Sequence, residues 1–458
     1  MNANEQIELD LIAPVQGGQN LARLDGQVTF VRGGVAGEQV RAHIVAQKRG
    51  YLEAEALSVA TPAATRVTPL CPYFGENGAQ RGSIAVTSSA AGGVCGGCQY
   101  QHLTYQAQLD LKQRVLGDVL RRVGKIVDAP VAVPLPSPTP YAYRNKTHWL
   151  INEDGLPSYH EARSHAAVPV QQCDLLIPGL QTLLQTIAAA TAELGLAGLA
   201  RGLEARLLPS VDGREQGTLV LELAASTSRQ EAQAMAEALL DLCDSIVGIV
   251  GVHGHEAESQ TLAGEPIMQV LFLEQHLTLS PTSFFQVNLP VAETMGRYVL
   301  EQCRATGRRA LDVYCGIGAL TIPLAQVAAS VIAVELDVGA VADLRGTVAG
   351  AALENVTVLP GDAAIGLRAV LPGTVDVAVI DPPRTGCSPD VLRQLARIKA
   401  PLLIYVSCDA ATLARDLRVL LDSGYVLETI QPFDLFPQTA HTESVTTLRL
   451  PRKFQARR

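Results

Sequence analysis

Cys408 and Glu443 are the residues of this chain whose types and settings point most directly to bond making. Cys408 follows the apolar run I-Y-V-S and precedes D-A-A-T-L, so it stands where a strand hands over to a helix that Asp409 is able to cap. That helix N-terminus is expected to lower the thiol pKa and favour thiolate. Glu443, in Q-T-A-H-T-E-S-V, brings one carboxylate from the last inter-strand loop to the same rim. A thiolate with a nearby base serves addition to, and proton removal from, a carbon that is not nucleophilic by itself. For Cys408 alone the competing reading is a buried, inert thiol.

A second set of residues prepares a binding site. Residues 309–320, R-A-L-D-V-Y-C-G-I-G-A-L, run from a short apolar strand through Gly316 and Gly318 into an amphipathic segment. Glycines at such a turn let the backbone approach a ligand, and the following helix aims free N–H groups at it. Asp312, Glu335 and Asp362 fall at successive strand ends, with Glu335 placed for ribose hydroxyls and Asp362 for an adenine amino group. Three carboxylates are poor company for a pyrophosphate. They suit S-adenosylmethionine, which carries a sulfonium, an ammonium and no phosphate. The fourth strand ends in Asp381-Pro-Pro-Arg384, a rigid turn that reads either as structure or as the amine-recognising loop of an amino-methyltransferase.

With a methyl donor beside it, the Cys408 and Glu443 pair matches uracil C5. Attack of Cys408 on C6 makes C5 nucleophilic, C5 takes the methyl group, and Glu443 removes the C5 proton. Reaching C6 requires an unstacked base, hence a flipped nucleotide or a single-stranded loop.

A third set is Cys71, in C-P-Y-F-G, and Cys95 and Cys98, in C-G-G-C-Q-Y-Q-H, with Cys173 as the remaining candidate ligand. A Cys-x-x-Cys pair places two thiolates around one centre, and its glycines leave N–H groups free to bond sulfur; zinc and an iron–sulfur cluster both stay open. Nine cysteines in a chain of this kind are not a disulfide framework, and Cys243, Cys303, Cys315 and Cys387 read as buried thiols.

Three units are expected to position these residues. Residues 1–62 hold short β-rich runs broken by Gly17-Gly18 and Gly33-Gly34, as in a small closed barrel of the kind that binds oligonucleotides. Residues 63–283 form an α+β unit with a helix over Gln106–Val123 and a proline-rich extended connector over Asp128–Pro140. Residues 284–458 alternate strands and helices into a doubly wound α/β domain whose last two strands follow one another directly.

At 458 residues and 48% apolar content each unit has material for a core. The formal charge of −9 argues against a general nucleic-acid coat protein, though not against an enzyme with a local basic face. Lys112–Lys125 and the tail from Arg449 are candidate patches, solvated surface charge being the alternative. Arg144, Lys146, His148 and Trp149 mix cations with an aromatic, which suits RNA or a strand with a polar face. No run approaches the roughly 20 apolar residues of a membrane span, and residues 1–10 are polar, so a cytoplasmic protein is expected.

Together these motifs resemble the RNA uracil-C5 (5-methyluridine) methyltransferase family over nearly the whole chain. The resemblance rests on C-P-Y-F-G, C-G-G-C-Q-Y-Q-H, S-F-F-Q-V-N, D-V-Y-C-G-I-G, D-P-P-R-T-G, Y-V-S-C and H-T-E. It implies a TRAM-type, OB-like barrel, a central domain with a [4Fe–4S] cluster on Cys71, Cys95, Cys98 and Cys173, and a class I, Rossmann-like methyltransferase domain. It also implies cofactor contacts from Gln286, Tyr314, Ala319, Glu335, Asp362 and Asp381, Cys408 as nucleophile, Glu443 as base, and packing of the helix around Lys112 on the catalytic domain. The expected partner is RNA, foremost 23S ribosomal RNA, with the transfer-RNA T-loop as rival, no membrane, and a monomeric enzyme. Three departures stand out: the insertion between Cys71 and Cys95, Ala319 in place of a common Asn, and Asp409-Ala410 in place of Asn-Pro.

Overall fold

The computed structural model describes residues 6–75, 79–80, 83–85, 94–162, 164–210, 213–254 and 259–451. Most of the Glu76–Val94 insertion and the end of the basic tail lie outside the described residues.

The first unit is a strongly bent sheet of strands Gln6–Asp10, Ala13–Val15, Gln19–Leu24, Gln27–Arg32, Gln39–Lys48 and Tyr51–Thr61. Alternate residues such as Val40 and Ala42, or Ala54 and Ala56, point into one small core, as the two-residue period of a strand requires. Ala13–Val15 and Gln19–Leu24 pair as a hairpin around Gly17 and Gly18, both at positive φ. Pro14 and the polar residues of Q-N-L-A-R-L hide these two strands from a reading of hydrophobicity.

The central unit is a seven-stranded sheet in the order Ala167–Pro169, Pro157–His160, Lys146–Ile151, Ala200–Pro209, Glu215–Leu223, Ile246–Val252, Gln260–Gly264. Helices Pro178–Ala189 and Arg229–Leu242 cover it, the second opened by a capping box of Ser228 and Glu231. Trp149 is fully buried in this core, Lys146 lies 2.7 Å from Glu204, and His148 lies 3.1 Å from Glu222. The stretch around Trp149 is therefore a strand whose Lys146 pairs with Glu204 and whose His148 ring faces Glu222, and its aromatic is unavailable for base stacking.

The third sheet positions the chemistry. We number its strands β1 (Arg309–Val313), β2 (Ser330–Glu335), β3 (Val356–Pro360), β4 (Val377–Ile380), β5 (Leu402–Ser407), β6 (Val426–Phe433) and β7 (Glu443–Arg449). Their spatial order is β3-β2-β1-β4-β5-β7-β6, parallel except for β7. Every residue of β4 and β5 is buried, because helices cover both faces. The order reverses between β1 and β4, and open α/β sheets bind ligands at such a crevice.

Two early segments belong to this sheet in space. Ala132 N donates to Ile430 O and Leu135 N to Pro432 O, so the proline-rich stretch lies along β6 and covers the sheet edge instead of linking freely. Helix Tyr105–Arg122 buries Leu116 and Leu120 in the hydrophobic core of this third unit. Its Lys112, counted above in a basic patch, is buried and bonds Asp434 Oδ1 at 2.5 Å and Phe436 O at 2.9 Å.

Candidate active site

The donor half grows from the β1 turn. Tyr314, Gly316 and Gly318 all have positive φ, and a Cβ on Gly318 would lie 2.5 Å from Leu344 Cδ1, so only glycine lets helix Val338–Gly350 pack here. Gly316 N donates to Glu335 Oε2 at 2.8 Å, and Glu335 Oε1 accepts from Leu336 N and Asp337 N at 2.8 Å each. The Glu335 carboxylate is thereby held rigidly at the end of β2. Asp362 Oδ1 caps helix Ala363–Arg368 by accepting from Ala364 N at 2.9 Å and Ile365 N at 3.2 Å.

Asp312 lies one residue below the rim, buried, and accepts from Thr321 Oγ1 at 2.6 Å. Burial outweighs that bond and pushes its carboxyl up to about 6. Asp381, just beyond β4, is pushed up to about 7 by burial and by Asp312. Ala319 packs half-buried against the core. Gln286 follows a segment that Asp343 fixes: Ser280 Oγ and Ser283 Oγ each donate to the Asp343 carboxylate at 2.6 Å. Asp343 carries no motif and was not singled out from sequence; its place on the helix after β2 orients the chain that bears Gln286.

The acceptor half follows from strand register. β5 and β7 pair antiparallel with Leu402 opposite Arg449 and Ser407 opposite Ser444, so the next step along both strands sets Cys408 beside Glu443. Glu443 is buried, and its carboxyl is pushed up to about 8 by burial and then by Asp381, against the pull of Arg384. Asp409 does cap helix Ala410–Asp422, accepting from Ala411 N and Thr412 N.

The Cys408 thiol is nevertheless pushed up to about 11, not down. Burial comes first and the charges of Glu443 and Asp381 add to it; Arg384 and the local backbone oppose them and lose. In the free protein Cys408 is a thiol. Arg384 Nη2 lies 2.8 Å from each ring nitrogen of His441, whose pKa is lowered to about 4 by burial and then by Arg384. The ring is therefore neutral and able to accept from the guanidinium.

The loop between β6 and Glu443 is braced from the first half of the chain. Lys112 holds Asp434 and Phe436 O, Asn288 Nδ2 donates to Leu435 O at 3.1 Å, and Tyr143 OH donates to Pro437 O at 3.0 Å. Gln108 exchanges two bonds with Gln438.

Cys71, Cys95, Cys98 and Cys173 line one cavity of about 70 Å³ together with Tyr73, Phe74, Gln101 and Arg144. None is in a disulfide. Gly97 N points at Cys95 Sγ at 3.4 Å and Gln101 Nε2 at Cys98 Sγ at 3.2 Å, so donors already face sulfur. Burial pushes all four thiols up, and Cys173 adds to it at Cys71, Cys95 and Cys98; Cys71 is pushed up to about 12 and Cys95 to about 11. Among the described residues no group of His, Cys, Asp and Glu is placed to hold a single metal ion.

The family model for tRNA (uracil-5-)-methyltransferase matches residues 235–363 and 371–450, and the TRAM domain model matches residues 12–57. An uncharacterized RNA methyltransferase of Gloeobacter violaceus is 32% identical, covering 97% of this chain and 96% of the relative. Another, of Halalkalibacterium halodurans, is 31% identical and covers 98% of each. The crystal structure of Pyrococcus abyssi tRNA (uracil-54, C5)-methyltransferase with S-adenosyl-L-homocysteine shares the fold, with a TM-score of 0.71 at 21% identity over 96% of this chain and 99% of that one. The chain belongs to the RNA uracil-C5 methyltransferase family, S-adenosylmethionine-dependent enzymes, and carries a TRAM domain at its N-terminal side.

Proposed function

We propose that this enzyme methylates C5 of uridine at a specific site in 23S ribosomal RNA, with Cys408 as nucleophile and Glu443 as base. The observation that carries the reading is the β5–β7 register, which puts thiol and carboxyl side by side next to Asp381 at the rim of the cofactor crevice. Cys408 Sγ bonds to uracil C6, and the C5–C6 π electrons move toward O4. C5 then takes the methyl group as the bond from sulfonium to methyl breaks and S-adenosylhomocysteine forms. Glu443 removes the C5 proton, C5=C6 re-forms and the Sγ–C6 bond breaks.

Protonation states support this order of events. A carboxyl near 8 is mainly protonated in the free protein at neutral pH, and its carboxylate form, once the proton is lost to solvent, is a stronger base than an ordinary Glu. A sulfonium bound near Asp381 offsets part of the negative charge that, after burial, holds the Cys408 thiol up, and so favours loss of the thiol proton to solvent as Sγ adds to C6. Gln286, Tyr314, Gly316, Gly318, Ala319, Glu335 and Asp362 line the donor half on this reading, with Asp312 acting from below.

We further read Cys71, Cys95, Cys98 and Cys173 as the ligands of a [4Fe–4S] cluster. Four thiols around a cavity, with N–H donors on two sulfurs, fit a multi-atom cluster better than zinc, whose sulfurs sit at about 2.3 Å from one ion. When bound, the cluster supplies a structural cross-link between segments near residues 71, 95 and 173. On this reading the chain divides near residues 62 and 283 into barrel, cluster domain and methyltransferase domain.

The test is nucleoside analysis of 23S ribosomal RNA and transfer RNA incubated with enzyme and donor. 5-Methyluridine in the 23S RNA alone is expected. The same product in the transfer-RNA T-loop would move the target, and an N-methylated product that survives Cys408→Ala would overturn the mechanism.

A further inference from the structure

Gln99 follows the ligand candidate Cys98 and grips the loop that leads to Glu443. Gln99 N and Tyr100 N both donate to Gln438 O, at 3.0 and 2.9 Å. Gln99 Oε1 accepts from Ala440 N at 3.1 Å, while its Nε2 donates to Gly96 O at 3.0 Å inside the Cys95–Cys98 turn. One side chain thus bonds the cysteine turn at one end and the base-bearing loop at the other.

The surroundings leave Gln99 little choice. A Cβ on Gly18 of the barrel hairpin would lie 2.8 Å from Gln99 Cβ, so the barrel presses on this side chain. Gln438 has a φ of +68°, which a residue with a side chain keeps only where its neighbours over-determine it. Glu443 opens β7, so on its N-terminal side it is held by this loop. The donor rim is anchored separately, by Glu335 and Asp343.

We propose that Gln99 is a positioning residue that transmits the order of the four-cysteine site to the loop presenting His441 and Glu443. Proton removal then depends on the cysteine site, while methyl-donor binding does not. The inference rests on the reading of Glu443 as base and of the quartet as a cluster site.

The test uses the full-length protein purified without oxygen, the RNA that the wild-type enzyme methylates, and S-adenosylmethionine. Glu443→Gln sets the reference, a methylated covalent RNA adduct that persists on a denaturing gel. Gln99→Met, which keeps the volume and removes both polar ends, is expected to slow adduct resolution ~10-fold, as loss of the two hydrogen bonds to Ala440 N and Gly96 O would. Donor affinity by calorimetry and the iron–sulfur absorbance are expected to stay at wild-type values. Gln99→Glu keeps the acceptor for Ala440 N but has no donor for Gly96 O, so the link to the cysteine turn is cut and resolution is expected to stay as slow as in Gln99→Met. Wild-type resolution in Gln99→Met, loss of iron from it, or recovery of the rate in Gln99→Glu would each overturn the proposal. If Glu443→Gln yields no adduct while Cys408 still reacts, the base assignment fails and the proposal falls with it.

Discussion

The donor and acceptor halves of the crevice are held by opposite means. In the donor half Glu335 is fixed by Leu336, Asp337 and the turn at Gly316, and Asp362 by the helix it caps, while the segment before Gln286 is held from further along the same domain by Asp343. In the acceptor half, Cys408 and Glu443 meet across two strands, and the loop before Glu443 is held by Gln99, Gln108, Lys112, Tyr143 and Asn288. A nucleotide-like donor needs a rigid cradle. On the proposed reading the acceptor side receives the RNA, and its geometry depends on segments from the first half of the chain.

The contrast predicts that damage to the two halves will separate cleanly. Glu443→Gln is expected to lower methylation by roughly 10²–10⁴-fold with donor affinity unchanged. Glu335→Ala is expected instead to weaken donor binding, by about tenfold, and to leave adduct formation intact at saturating donor. Calorimetry alongside single-turnover assays distinguishes the two. A loss of donor affinity in Glu443→Gln would erase the distinction.

The bracing itself is tested at Lys112. It and Asp434 are buried together, at 2% and 0% side-chain exposure, and burial alone would drive its ammonium toward neutrality. Lys112→Met leaves the Asp434 charge uncompensated and is expected to cost about 3–5 kcal/mol in denaturant unfolding. Adding Asp434→Leu should restore most of it. If the single variant unfolds like wild type, the early helix is not a structural part of the acceptor half.

A smaller effect concerns pH. Asp312 and Asp381 titrate near 6 and 7, above their ordinary range, so each favours its neutral form in the free fold. Their contribution to stability is full at low pH and is lost as pH rises through those values. A bound sulfonium favours the ionised forms, so S-adenosylmethionine should bind more tightly as pH rises from 6 to 8, by about tenfold. S-Adenosylhomocysteine, which lacks the cation, should show a flatter profile. Equal slopes for both ligands would mean that these carboxylates do not face the sulfonium.

Legibility follows the same division. The α/β order, the Gly316 turn and Glu335 can be read from sequence because strand periodicity and turn chemistry are local. The protonation of Cys408 cannot, since it reflects burial and the charges of Glu443 and Asp381, which come close only after the sheet forms. Trp149 and Lys112 left two readings open for a related reason, since a cation or an aromatic in a string of letters carries no sign of its partner; the structure takes the strand reading for Trp149 and the packed-helix reading for Lys112. The proline-rich stretch looked like a linker because its hydrogen bonds run to β6, some three hundred residues later.

The central claim is the covalent step at Cys408, and RNA carrying 5-fluorouridine at the target tests it most directly. Fluorine at C5 cannot be removed as a proton, so the reaction should stop after methyl transfer. We expect a denaturation-resistant RNA–protein adduct whose mass includes one methyl group and whose RNA attachment maps to Cys408, and no adduct with Cys408→Ala. Turnover of ordinary RNA by Cys408→Ala, or attachment at another residue, would contradict the account.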